Sequence, residues 1–158
     1  MTSKTPPPRV PKGIVASDLL NRKVRQPKWI VEGLMKPGLV LFAGAGKLGK
    51  TKLALELAVA VATGSDALGS LAVDPGSVIF LALEDSKARL ASRLGDLCKG
   101  RAVPDQLRFF LEWPKLDDRG IAKLDQLIQA QAPKTKLVVI DTLGLARPVG
   151  TGSGYLRD

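Results

Sequence analysis

The sequence predicts an α/β fold, a mostly parallel sheet flanked by helices, and three observations carry that expectation. Four short apolar runs read as strands: LVLFA (39–43), SVIFLAL (77–83), LRFFLEW (107–113) and KLVVID (136–141). The stretches between them carry helical periodicity, and strand–helix alternation buries its apolar faces only when helices pack on a parallel sheet. A glycine-rich loop joins the first run to the first long helix, and an aspartate closes the last run, both features of an open α/β sheet that binds its ligand at the strand ends.

Taken in order, the elements justify themselves locally. Pro6, Pro7, Pro8 and Pro11 deny the N-terminus a helix or a central strand, so residues 1–28 are expected to be a basic, proline-rich leader with an extended arm. ASDLL (16–20) suits a helical turn capped by Ser17, with a basic loop running on to Pro27. Trp29, Ile30, Val31 and Leu34 form an apolar patch expected to cover one edge of the core. LVLFA, wholly apolar, has the pattern of a strand buried on both faces. TKLALELAVAVA (51–62) is built from strong helix formers, with Gly64 placed as a C-cap. Asp74-Pro75-Gly76 is a turn before the second strand. Ser86 can cap the next helix, in which Leu90, Leu94 and Leu97 share a face with Cys98 beside them as an inert core thiol. Ile121, Leu124, Leu127 and Ile128 mark a further amphipathic helix that ends before Pro133. The core is expected over 29–148, and residues 149–158, with GTGSG at 150–154, form a glycine-rich tail.

Composition excludes whole classes of chemistry. The chain has 158 residues, 45% of them hydrophobic and 25% charged, as a globular domain with one core requires. No apolar run approaches the ~18 residues of a membrane span, and the N-terminus has no apolar signal region. One cysteine excludes an internal disulfide framework and fits a reducing, cytoplasmic setting. With no histidine there is no Ser-His-Asp triad, no His-ligated metal and no imidazole acid–base catalysis. The net charge of +9 is unevenly spread. Residues 1–28 hold seven basic side chains against Asp18 alone, leaving +6 on the leader and +3 on everything else. The leader could touch nucleic acid nonspecifically, yet with 4% aromatic residues no base-stacking platform is evident. Trp29 and Trp113 are better read as packing at the core edge.

The loop Gly44-Ala45-Gly46-Lys47-Leu48-Gly49-Lys50-Thr51 fits G-x-x-x-x-G-K-[ST]. Backbone N–H groups of such a loop wrap a phosphate, glycines sit where a Cβ would obstruct, and the helix behind adds unsatisfied donors. Lys50 is placed to reach the β- and γ-phosphates, and the Thr51 hydroxyl to ligate Mg²⁺. The competing reading is a glycine-rich turn with a solvated lysine; Lys47, an extra cation, can simply be exposed. Asp141 ends an apolar strand and is expected to hold the Mg²⁺ hydration shell opposite Thr51, though it could also cap the following turn. Glu84 ends the second strand, where a carboxylate can orient and deprotonate the attacking water. Asp85 could compete for that role, or either acid could serve the N-terminus of the next helix. Arg89 and Arg93 read as a solvated face, or as a phosphate or subunit contact.

Together the segments WIVEGLMKPGLVLFAGAGKLGKTKLALELAVAVATG, SVIFLALEDSKARLASRL, FLEWPKLD and KLVVIDTLGLARP resemble the RecA-like ATPases of the plasmid RepA replicative-helicase type, an AAA family group, over roughly residues 16–148. The resemblance implies a RecA-like P-loop core, ATP and Mg²⁺ as ligands, a hexameric homo-oligomeric ring and movement on single-stranded DNA. On it, Gly44, Gly49, Lys50 and Thr51 are the phosphate loop, Glu84 the catalytic base and Asp141 the Mg²⁺-linked acid. It also implies an incomplete, C-terminally truncated sheet, because one strand that the family places between the phosphate-loop strand and the Asp141 strand has no counterpart here. Two other functions stay open: a filament-forming recombination or repair ATPase, and a non-catalytic nucleotide-binding module that modulates a full-length ring.

Overall fold

The computed structural model describes residues 13–21, 27–99, 104–131 and 134–148. Most of the proline-rich leader, the basic loop before Pro27 and the glycine-rich tail therefore lie outside the described residues. The elements run α1 (Ala16–Asn21), α2 (Lys50–Thr63), β1 (Ser77–Ala82), α3 (Lys87–Leu97), β2 (Leu107–Phe110), α4 (Asp118–Ala130), β3 (Thr135–Asp141) and α5 (Leu143–Ala146). Ser17 lies inside α1 and not at its cap, and α1 buries none of its residues.

Among the described residues the sheet has three strands in the order β2-β1-β3, and both pairings are parallel. The centre is β1, buried along its whole length as its unbroken apolar run demands. Phe80 pairs with Phe109 of β2 and Val139 of β3, and the two phenyl rings sit 5.3 Å apart. The helix α2 packs across the sheet with Leu55, Leu57, Ala58, Val59 and Val61 buried. It ends where Gly64 donates its N–H to the Ala60 carbonyl at 2.8 Å, the cap expected of that glycine. α3 contributes Leu90 to the core, with Leu94, Leu97 and Cys98 packed against it. Of the patch at 29–34, Ile30 and Val31 are buried, whereas Trp29 and Leu34 stay exposed; Lys36 sits 4.6 Å over the Trp29 ring.

One expected strand is absent. Residues 39–43 form no strand: Leu39 is 100% exposed and Leu41 72%, and no backbone hydrogen bond ties them to another described residue. An apolar run becomes a strand only if a neighbour satisfies its N–H and C=O groups. Among the described residues β3 pairs with β1 alone, no strand lies on its other edge, and its residues are only half-buried. A cavity of about 300 Å³ is lined jointly by Leu39, Leu41, Val138, Ile140 and the strand-end residues. The amphipathic face of α4 is likewise under-covered, with Ile121 exposed. That helix is held instead at its start, where Asp117 accepts from the N–H groups of Arg119 and Gly120. A Cβ on Gly120 would fall 1.9 Å from the Lys115 carbonyl oxygen, so only glycine fits there.

Candidate nucleotide site

The phosphate-loop motif folds as an exposed turn that feeds directly into α2. Gly49, the residue before the helix, has φ 82°, a left-handed value that glycine takes without strain. Gly44 opens the loop at φ 156°, and Lys47 is exposed with φ 64°. No side chain caps the first turn of α2 and no acid stands in it, so the helix presents its N-terminal dipole to whatever the loop encloses. Lys50 Nζ donates to the carbonyls of Gly44 at 2.9 Å and Ala45 at 2.7 Å. The ammonium is therefore held over the loop, on partners that a phosphate would outcompete by charge.

Lys50, Asp141 and Thr142 line the same cavity, at the carboxyl end of the sheet. Asp141 pairs with Ala82 in the strand register, and its carbonyl accepts the Leu83 N–H at 2.7 Å. Its peptide bond to Thr142 is cis. Glu84 follows Leu83 directly, in the turn after β1, while Asp141 closes the neighbouring strand β3. The Glu84 side chain is exposed and has no hydrogen-bond or ion-pair partner among the described residues. Thr51 is half-buried at the start of α2 and, like Glu84 and residues 44–49, stands outside the cavity wall.

Asp85 is occupied. Its carboxylate, 6% exposed, accepts from Arg89 Nε at 3.0 Å on one oxygen and from Arg93 on the other. Arg89 also donates through a second nitrogen to the Glu84 carbonyl, while its backbone N–H bonds the Ser86 hydroxyl at 3.3 Å. Two expectations change as a result. Asp85 does not cap α3, which Ser86 does, and Arg89 and Arg93 are not a merely solvated face. The signal was present in the spacing, since Arg89 and Arg93 stand four and eight residues beyond Asp85.

A family profile described as an AAA domain matches residues 4–149. The chain belongs to the AAA domain family. Curated proteins and solved structures give no match. As a P-loop ATPase family, AAA domains bind and hydrolyse nucleotide, generally ATP with Mg²⁺. The donor set of this AAA domain fits Mg²⁺. No cluster of three His, Cys, Asp or Glu exists among the described residues. Hard oxygen donors are available in the Thr51 hydroxyl and Asp141 carboxylate, and Mg²⁺ typically takes one or two such ligands with phosphates and water supplying the rest. No described helix is long and apolar enough to cross a membrane.

Proposed function

We propose that this AAA domain is the ATP-binding and hydrolysing motor of a DNA-replication helicase of the RepA type, working as a homo-oligomer on single-stranded DNA. The observation that carries the nucleotide half of the reading is the convergence of Lys50 and Asp141 on one cavity, with Glu84 in the turn after Leu83, whose N–H bonds the Asp141 carbonyl. The helicase half is supported by the resemblance of the LALED and VIDTLGLARP segments, which are more specific to that group than the loop is.

In this reading the loop amides of Gly44, Ala45, Gly46, Lys47, Leu48 and Gly49 cradle the phosphates, and Lys50 moves from its carbonyl partners to the β- and γ-phosphate oxygens. Thr51 and Asp141 would hold Mg²⁺, Asp141 through water, and the ion supplies charge neutralisation to the phosphoryl group. Glu84 accepts a proton from the attacking water and points it in line. Because Asp85 is bound to two arginines, Glu84 is the carboxylate of the pair that is free for this work.

The Glu84→Gln variant separates binding from chemistry. It is expected to keep ATP affinity while phosphate release falls by about 100-fold or more, the usual scale of a general base. Hydrolysis at the wild-type rate would remove Glu84 from the mechanism, and ATP binding without turnover in the wild type would favour the non-catalytic module instead.

A further inference from the structure

We infer that Arg89 is a positioning residue for hydrolysis, clamping the β1–α3 turn so that the Glu84 carboxylate faces the nucleotide; this inference rests on the ATPase reading above. One guanidinium spans two successive residues, with Nε on the Asp85 carboxylate and a terminal nitrogen on the Glu84 carbonyl. The fork is planar and its donors are fixed relative to each other, so gripping both acceptors fixes the peptide plane between residues 84 and 85. That plane sets the direction in which the Glu84 side chain leaves the strand. On the other side, the Leu83 N–H is already held by the Asp141 carbonyl at 2.7 Å. Glu84 is therefore bracketed by a sheet bond before it and an arginine fork behind it, while its own carboxylate stays without a partner among the described residues.

Burial explains why the clamp holds its shape. Asp85 is 6% exposed, and a carboxylate removed from water keeps its charge only when paired and hydrogen-bonded. Arg93 takes its second oxygen, so Asp85 is pinned from α3 at two points and becomes a fixed anchor for Arg89. Arg89 itself is 60% exposed, and exposed ion pairs contribute little to stability. Its removal should consequently be felt in orientation far more than in folding. Lysine cannot replace it, because a single ammonium cannot grip both acceptors in one plane.

The test uses the full 158-residue chain. Single-turnover and steady-state ATP hydrolysis, ATP binding by fluorescence and thermal melting are measured for the wild type, Arg89→Ala, Arg89→Lys and Asp117→Ala. The last removes the side-chain cap of α4, outside the site, and serves as a destabilised control. Arg89→Ala should lower kcat by about tenfold or more, since small misplacements of a reacting group cost that much. KM and the ATP dissociation constant should stay within about twofold, the pattern of an interaction needed only in the transition state. Arg89→Lys should recover less than half of the loss, and Asp117→Ala should lower the melting temperature with kcat unchanged. Unchanged kcat in Arg89→Ala overturns the inference, as does a loss matched by Asp117→Ala at equal destabilisation, which would make the clamp structural only. A wild type that neither binds nor hydrolyses ATP overturns the ATPase reading first and this inference with it, whereas an active wild type with an indifferent Arg89 overturns this inference alone.

Discussion

Neighbouring residues of one chemical type are given different work by their surroundings. Glu84 and Asp85 are adjacent acids that the sequence could rank only by position, and their surroundings differ: Arg89 and Arg93 occupy both oxygens of Asp85, whereas the Glu84 carboxylate has no partner among the described residues. The local geometry of the loop was legible: Gly49 takes a left-handed φ, and Lys50 and Thr51 open the helix behind it. What no local pattern could supply is the resting state of Lys50, which bonds the Gly44 and Ala45 carbonyls. Asp141 offers the sharpest residue-scale prediction. The Asp141→Asn variant keeps the side chain's shape and removes its charge, so ATP binding should survive while the Mg²⁺ concentration for half-maximal hydrolysis rises by about tenfold or more. A magnesium titration of phosphate release checks this, and an unshifted midpoint would place the ion elsewhere.

At the scale of elements, periodicity and caps are legible for the helices that pack on the sheet, whereas Ser17, expected as a cap, falls inside the exposed α1. Gly64 and Ser86 cap as their types suggest, and Leu90, Leu94 and Leu97 share the face that meets the core. The misreading at 39–43 has a physical cause: a helix satisfies its own backbone, but a strand depends on a neighbour, and none flanks this run. Composition reports how apolar LVLFA is and says nothing about what stands beside it. The same reasoning explains α4, whose periodic apolar face was plain in the sequence yet stays half-covered. Where cover is complete, energetic consequences follow. Leu57 is 2% exposed on α2 beneath the sheet, so Leu57→Ala should lower unfolding free energy by about 2–5 kcal/mol in a urea titration. A change under ~1 kcal/mol would mean that α2 is not packed as described.

For the whole molecule, the sheet sets where chemistry can occur. Parallel strands end on one side, where Asp141 and Lys50, the first residue of α2, line one cavity. Among the described residues β3 has no strand on its other edge, and the cavity between it and residues 39–42 is also lined by Lys50 and Asp141. Sheet order was not readable from the chain alone; alternation gives parallel strands, whereas pairing partners come from long-range contacts. The net charge that first suggests nucleic acid sits mainly on a leader most of whose basic residues lie outside the described residues, so the case for function rests on the strand ends. Those strand ends are tested most directly by isothermal titration calorimetry with ATP and Mg²⁺ on the wild type and on Lys50→Ala. The wild type should bind at one site per chain, and Lys50→Ala should bind about 100-fold more weakly or not at all, as expected when a cation on the β- and γ-phosphates is lost. Equal affinity in the two proteins, or no binding by the wild type, would contradict the nucleotide site.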